Sequence, residues 1–153
     1  MKRLLPIIIA GCLGSLPPTQ AHAQAGLTFW AGYAQSADSG AAKMENKGEQ
    51  LSVQFGLPLI PIALRADALH WGTTLDSNHL SLLASGVLQI RLPLLQVYGL
   101  AGWGKFAETD STTVTGWQAG AGIRLGQGRF GLFGEVRRLD PVARTITTLG
   151  LTF

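Results

Sequence analysis

The strongest constraint in this sequence is an alternation of apolar and polar residues with a period of two. It is clearest between residues 50 and 57, where every second side chain is apolar: Leu51, Val53, Phe55 and Leu57. This period indicates β-strands with one apolar face, because successive side chains of a strand point to opposite sides of the sheet. A membrane-spanning helix needs about 20 consecutive apolar residues, and the chain has no such run. The sequence therefore predicts an all-β fold.

Eight segments carry the alternation. The predicted strands are Leu27–Gln35, Glu49–Leu57, Ile62–Trp71, His79–Leu92, Leu95–Ala107, Val114–Gly126, Arg129–Leu139 and Arg144–Phe153. Longer polar connections occur at Ser36–Gly48, Gly72–Asn78, Glu108–Thr113 and Asp140–Ala143. Tight turns alternate with them, at Pro58–Pro61, Pro93-Leu94 and Gln127-Gly128. This order predicts an eight-stranded antiparallel up-and-down β-barrel.

The alternation alone fits two kinds of barrel. The apolar face points outward in a transmembrane β-barrel and inward in a soluble lipocalin-like binder of small ligands. Only 14% of the residues are charged, against about 25% in an average soluble domain. Glycines on the polar face, and short turns at one end only, also favour the transmembrane barrel.

The N-terminal residues 1–23 have the organisation of a signal peptide. Lys2 and Arg3 form a positive region, and an apolar stretch follows over Leu4–Leu16. Ala21 and Ala23 then supply the small residues that a signal peptidase recognises. We expect cleavage after Ala23, with Ala25 as the second choice, which leaves a barrel domain over residues 24–153.

Cys12 offers an alternative, because Ile9-Ala10-Gly11-Cys12 resembles the lipidation site of a bacterial lipoprotein. Cys12 is the only cysteine, so cleavage after Ala23 would leave a chain without disulfides, zinc–thiolate sites or a cysteine nucleophile. The 12 Lys and Arg residues exceed the 9 Asp and Glu residues, but two of the basic residues lie in the signal peptide. The charge therefore gives no case for nucleic-acid binding.

The polar face of the strands predicts a polar network inside the barrel. It carries four arginines and two acids: Arg65, Arg91, Arg124, Arg137, Asp67 and Glu135. An unpaired buried charge is costly, and eight strands leave room only for side chains inside. We therefore expect the acids to pair with some of the arginines, through a contact of Glu135 with Arg124 or with Arg65. Such a network is a structural closure of the lumen or, alternatively, an ion gate.

The aromatic residues divide between the two faces. Trp71 and Trp117 end strands near the longer loops, where an interfacial girdle is expected. Trp30 falls on the polar face and is predicted to lie in the lumen. The register of the fifth strand stays open, because a bulge near Gly102 or Gly104 could turn Trp103 outward.

The C-terminal segment ends in alternate apolar residues, Leu149, Leu151 and Phe153. With the segments Val97–Gly102 and Gly116–Gly122, it resembles the small outer-membrane barrels of the OmpA-type and opacity-protein superfamily. The resemblance covers the mature chain and implies periplasmic termini, contact with outer-membrane lipids, and recognition of the last strand by the barrel-assembly machinery. It also implies that the longer connections face outside, where they could meet an extracellular ligand. The sequence departs from some members in its shorter outer loops and in lacking a peptidoglycan-binding domain.

An enzymatic alternative rests on His79 and Ser81, whose spacing places an imidazole and a hydroxyl on one strand face. The pair is similar to the His-x-Ser of outer-membrane lipid A deacylases. Arg91 stands where that family would have an acid, which puts the catalytic role in doubt. The sequence holds no phosphate-binding loop and no metal-ligand cluster. We therefore expect a non-catalytic protein without a cofactor, and a lipid-modifying enzyme is the second hypothesis.

Overall fold

A computed structural model describes residues 26–36, 47–56, 60–71, 80–109, 112–126, 128 and 130–153. It contains the strands β1 (Gly26–Ser36), β2 (Lys47–Gly56), β3 (Ile62–Trp71), β4 (Leu80–Arg91), β5 (Leu95–Thr109), β6 (Thr112–Leu125), β7 (Gly131–Leu139) and β8 (Arg144–Thr152). All eight predicted strands are confirmed, with ends that differ by two residues or fewer. The predicted signal peptide, with Ala21, Ala23 and Cys12, lies outside the described residues, as does most of the first two outer loops.

Each strand pairs with the next in antiparallel order, and β1 pairs with β8 to close the barrel. The closing ladder runs from Trp30 opposite Thr152 to Ser36 opposite Ile146. A closed barrel leaves no free sheet edge, so the strands satisfy one another's backbone groups. Within the described residues, no helix has the length and apolar character that a membrane span requires.

The apolar face of the barrel points outward. On β3, Leu64 is 67% exposed, whereas its neighbour Arg65 is 2% exposed. The burial pattern of β2 alternates in the same way over its whole length, with Leu51 63% exposed and Gln50 1% exposed. A lipocalin-like binder would have the opposite arrangement, so this alternative is wrong.

The interior is layered along the barrel axis. Towards the end with the longer connections lies an apolar layer, formed by Ala34, Leu69, Trp71, Leu83, Phe106, Leu139 and Ile146. A second buried layer lies nearer the short turns and contains Trp30, Ala63, Val87, Tyr98, Leu100 and Phe133. We call these the outer apolar layer and the inner aromatic layer. Most polar residues of the lumen lie between them and at the short-turn end, whereas Ser36, Ser81 and Arg144 lie at the level of the outer apolar layer.

The expected girdle position of Trp71 is wrong. Trp71 is 2% exposed and belongs to the outer apolar layer. It shares the odd positions of β3 with Arg65 and Asp67, so alternation sends its ring inward. Its cross-strand neighbour Gly48 leaves space for the ring, since a Cβ there would lie 2.9 Å from Trp71 Cε3.

Strand β5 is regular through Gly102 and Gly104, so the bulge considered at these glycines is absent. Its pairing with β6 is continuous from Leu95 to Ala107, and the register shifts only between Ala107 and Thr109. Trp103 points outward by simple alternation and is 58% exposed. It lies directly opposite Trp117, which is 44% exposed. The two indoles therefore occupy opposed positions on the outer wall.

Glycine is required where the β6–β7 connection turns. Gly126 and Gly128 have φ values of 140° and 64°, a region that side chains with a Cβ rarely adopt. A different need applies at Gly122, which lies opposite Tyr98 in the ladder. A Cβ at Gly122 would lie 2.5 Å from the Tyr98 ring, so this glycine allows the ring to lie flat on the inner wall.

Candidate functional site

Two strands on opposite sides of the barrel carry charged residues in reversed order. β3 and β7 are separated by three strands in either direction around the closed barrel. Because neighbours are antiparallel, these two strands run in the same direction. Arg65 precedes Asp67 on β3, and Glu135 precedes Arg137 on β7. Each guanidinium therefore faces a carboxylate across the lumen.

These four residues form a closed ring of ion pairs, which we call the ionic cluster. Arg65 Nη1 lies 2.8 Å from Glu135 Oε2 across the lumen, and its Nε lies 2.8 Å from Asp67 Oδ1 on the same strand. Arg137 Nη2 lies 2.9 Å from Asp67 Oδ1, and Arg137 Nε donates to Glu135 Oε1. All four side chains have no exposed surface.

Neutral groups complete the hydrogen bonding of the cluster. Tyr98 donates its hydroxyl proton to Glu135 Oε2 at 2.8 Å, and Arg65 Nη2 donates to Ser52 Oγ at 3.2 Å. Arg137 Nη1 donates to Gln118 Oε1 at 3.3 Å. The Gln50 amide is satisfied when its oxygen faces both guanidinium groups, 2.6 Å from Arg65 Nη2 and 2.9 Å from Arg137 Nη2. Such additional bonds are what make buried charges tolerable.

The inner aromatic layer forms the floor of the cluster. The Arg65 guanidinium carbon lies 4.4 Å from the centroid of the Trp30 ring, within the range of a cation–π contact. Trp30 also makes edge contacts with Tyr98 and Phe133, at centroid distances of 5.4 and 4.9 Å. These three rings separate the ionic cluster from the short-turn end of the lumen.

The ionic cluster matches two positive with two negative side chains. Every charged side chain in it is hydrogen-bonded, and the ionic cluster contains no hydroxyl or thiol nucleophile placed beside a free base. Among the described residues, no three His, Cys, Asp or Glu side chains lie close enough to hold a metal ion. The geometry therefore suits a fixed, neutral cross-brace of the lumen.

Of the two contacts proposed for Glu135, the structure contains the one with Arg65 and not the one with Arg124. Arg124 lies opposite Phe133 in the β6–β7 ladder, whereas Glu135 lies opposite Gly122. Arg124 is thus nearer the short turns, where its Nε donates to Thr152 Oγ1 at 2.8 Å and its Nη2 to the Gly128 carbonyl at 2.6 Å.

Arg91 also lies outside the cluster. The sequence pattern predicts it to be an inward arginine that needs an acid, but it ends β4 at the short-turn end and is exposed. Solvent reaches its guanidinium, so no carboxylate is needed. Arg91 and Arg124 line a cavity of about 380 Å³ at this end, which we call the lower mouth cavity.

The sequence predicts that Asp67 pairs with an inward arginine but does not identify Arg137 as the partner, and it does not identify the neutral members of the network. Tyr98, Gln50 and Gln118 lie on the polar faces of their strands, so alternation signalled that they point inward. Which height each side chain reaches depends on the stagger between strands, and alternation carries no information on that stagger.

Of the His79 and Ser81 pair considered for an enzyme, the structure describes only Ser81, because His79 lies outside the described residues. Ser81 is 1% exposed and points into the barrel, where its Oγ accepts a hydrogen bond from the Ala107 backbone N–H at 3.0 Å. A lipid on the outer wall has no contact with this hydroxyl. The structure therefore offers no support for a lipid-modifying site at Ser81.

The C-terminal residues take the outward positions expected of them. Leu149 and Leu151 are 66% and 56% exposed on the outer wall. The Phe153 ring stacks on Phe29 of β1 at a centroid distance of 6.2 Å. Phe29 and Phe153 also exchange backbone hydrogen bonds of 2.8 and 3.0 Å, so the pair belongs to the closing ladder.

No protein-family model matches this chain, and no curated protein matches its sequence. Its fold does match solved structures. Two crystal structures of Ail, the attachment invasion locus protein of Yersinia pestis, align with TM-scores of 0.52 and 0.50 at 20% identity. Each alignment covers 85% of this chain and all of Ail, and one of the two is a complex with the heparin analogue sucrose octasulfate. The chain thus has the fold of the small eight-stranded barrels.

Proposed function

We propose that this chain is a non-catalytic barrel of a bacterial outer membrane, with a structural or surface-interaction role. The observation that carries the proposal is the outward apolar wall of a closed barrel. Leu64, Leu149 and Ile90 are 67%, 66% and 64% exposed, and residues of this kind occur on several strands around the barrel. A soluble protein would leave this large apolar area in water, whereas lipid is a favourable solvent for it.

The edges of the apolar wall carry aromatic side chains of the kind found at membrane interfaces. Trp103 and Trp117 are paired on β5 and β6, and Tyr33 on β1 is 49% exposed. Indole and phenol rings favour the headgroup region, because they combine an apolar ring with one polar group. Trp117 thus keeps the girdle role inferred from the sequence, and Trp103 joins it.

In this proposal the ionic cluster closes the lumen. Its four charged side chains meet across the full width of the barrel and have no exposed surface. An ion would have to break several charge-assisted hydrogen bonds to pass, each stronger than a neutral one. The cluster therefore acts as a cross-brace, and an ion gate is the alternative that a conductance measurement distinguishes.

Contacts outside the cell would involve the end with the longer connections. Ail, which shares the fold, was crystallised with a heparin analogue, and this supports an extracellular ligand as the partner class. Assembly would involve the last strand, whose Leu149, Leu151 and Phe153 have the pattern that the barrel-assembly machinery is understood to recognise. The signal peptide over residues 1–23 would direct export across the inner membrane.

Heat-modifiable migration tests the proposal. A folded transmembrane barrel extracted in detergent should migrate differently on a gel before and after boiling. The protein should sediment with outer membranes, and a chain that stays soluble without detergent would contradict the proposal.

Lipid A from cells with and without the protein should show the same acyl pattern; a changed pattern would revive the enzymatic alternative.

A substitution on the outer wall gives a sharper test. Leu64→Arg should destabilise the barrel in lipid vesicles by about 2–4 kcal/mol, because the charge faces the hydrocarbon core. Leu64→Val is the matched control and should fold normally. Equal stability of the two variants would indicate that this wall faces water.

A further inference from the structure

The lower mouth cavity contains two cationic side chains and no acid. Arg91 and Arg124 line it, and no Asp or Glu side chain does. The short connections at this end, residues 57–61, 92–94 and 126–130, also contain no Asp or Glu. The charge of the cavity is therefore unmatched by any acidic side chain.

Buried polar atoms in the cavity wall lack partners as well. Gln89 is 2% exposed and Trp30 is 1% exposed, yet Gln89 Nε2 and Trp30 Nε1 have no hydrogen-bond acceptor. Gln54 Oε1 is a buried acceptor without a donor. Arg91 makes no hydrogen bond or ion pair with the described residues. An unsatisfied buried polar group costs about 1–3 kcal/mol, so these three side chains favour a polar occupant of the cavity over an apolar one.

We propose that the lower mouth cavity binds a small hydroxylated solute through a phosphate monoester. This site goes beyond the proposed function and does not depend on it. A phosphate monoester carries about −1.5 to −2 charges near neutral pH, which balances two arginines, whereas a carboxylate balances one. Guanidinium groups match phosphate oxygens geometrically.

The neutral groups suit the remainder of such a solute. Gln54, Gln89 and Trp30 also line the cavity, and their unpartnered polar atoms are enclosed, so a solute bonds to them only once these side chains shift. The cavity volume of about 380 Å³ is at the lower end of the range for small-molecule sites, about 300–1,000 Å³. The site is open at the barrel end with the short turns, so a solute enters without any rearrangement of the strands.

Gly56 provides a way to fill the cavity without removing a charge. A Cβ at Gly56 would lie 3.5 Å from both Arg91 Nη2 and Gln89 Nε2, and 3.4 Å from the Ala63 Cβ. These are ordinary van der Waals contacts, so the backbone accommodates a Cβ there. Gly56→Val places two methyl groups beside the donors, and valine is favoured in strands.

Calorimetric titration of the purified full barrel in a nonionic detergent tests the proposal, with glycerol 3-phosphate as the probe. The wild-type protein should bind it saturably and bind glycerol far more weakly. Arg91→Gln and Arg124→Gln should each weaken binding about tenfold, the loss expected for one charge-assisted hydrogen bond. Gly56→Val should abolish binding while the barrel still shows heat-modifiable migration. Arg138→Gln, on the outer wall of β7, is the control and should bind as the wild type does.

Three results would overturn the proposal. One is the absence of saturable binding at millimolar glycerol 3-phosphate, and another is unchanged affinity in Arg91→Gln, Arg124→Gln and Gly56→Val. The third concerns the source of the phosphate. Short-chain phosphatidylglycerol carries a phosphodiester with one charge, so it should not displace glycerol 3-phosphate. Displacement would assign the cavity to a lipid headgroup instead of a solute.

Discussion

Two pairs of arginines in the lumen differ in how their charge is balanced. Arg65 and Arg137 are 2% and 0% exposed and lie against two carboxylates. Arg91 and Arg124 lie at the open end, without any acidic side chain in the lower mouth cavity. Arg124 is itself only 8% exposed and bonds the neutral oxygens of Thr152 and Gly128. The comparison teaches that the two fully enclosed arginines lie against carboxylates, because desolvation makes an unpaired charge costly, whereas at the mouth neutral oxygens or solvent suffice. Arginines at the mouth remain available for a ligand.

The largest expected effect is the loss of one acid from the ionic cluster. Glu135→Ala removes the partner of Arg65, Arg137 and Tyr98 at once, and leaves uncompensated buried charge. We expect the free energy of unfolding to fall by about 3–5 kcal/mol, measured by urea unfolding in lipid vesicles. Unchanged stability would refute the pairing, and a large rise in single-channel conductance would show that the cluster gates ions.

Gly122→Ala should have the next largest effect. The added Cβ would lie 2.5 Å from the Tyr98 ring and 2.7 Å from the Gly134 carbonyl oxygen, so Tyr98 must move away from Glu135. Overpacking of this kind costs about 1–3 kcal/mol, measured by the same urea unfolding. Gly86→Ala is the matched control, because a Cβ there would approach nothing closer than 3.9 Å. If both variants lose a similar free energy of unfolding, then Gly122 is not needed to make space beside Tyr98.

A double-mutant cycle isolates the coupling between the two charges that meet across the lumen. Arg65→Met combined with Glu135→Leu keeps the cluster neutral, since Asp67 and Arg137 remain paired. The double variant should lose less stability than the two single variants added together. We expect an interaction energy of about 0.5–3 kcal/mol from the cycle of unfolding free energies. An interaction energy near zero would show that the two side chains are energetically independent.

The smallest effect is expected at the lower mouth cavity. Arg91→Gln should change the unfolding free energy by less than about 0.5 kcal/mol, as surface substitutions usually do. Arg124→Gln should cost about 1 kcal/mol, because it loses bonds to Thr152 and Gly128. Unfolding curves in urea without phosphate measure both. A loss at Arg91 as large as that of Glu135→Ala would mean that the two arginine pairs do not differ.

Much of this comparison could be predicted from the sequence, but only up to the face on which each residue lies. Alternation gives the eight strands, the outward Leu64 and the inward Trp30 and Arg65. It fails where position along the barrel axis decides the outcome. Arg124 and Arg65 have the same inward parity, yet only Arg65 lies at the height of Glu135. The stagger between strands sets this height, and it depends on pairings between distant segments.

Trp71 shows a different kind of error. Its place at a strand end suggested a girdle, although its odd position in β3 already placed it on the face of Arg65 and Asp67. The face that alternation assigns to Trp71 was stronger evidence than its place at a strand end, because an inward residue cannot reach the outer wall without a bulge. The lower mouth cavity could not be predicted at all, since it depends on which buried polar atoms remain without partners.

The reversed charge order on β3 and β7 has a consequence for how the barrel finds its register. A strand that slips by one residue turns its apolar side chains inward, and the alternation itself penalises this error. A slip of two residues preserves every face, so hydrophobicity does not detect it. Such a slip would bring Arg65 level with Arg137, placing two positive charges against each other in a site without water. The ionic cluster therefore disfavours a slip of two residues, which the apolar pattern alone would permit.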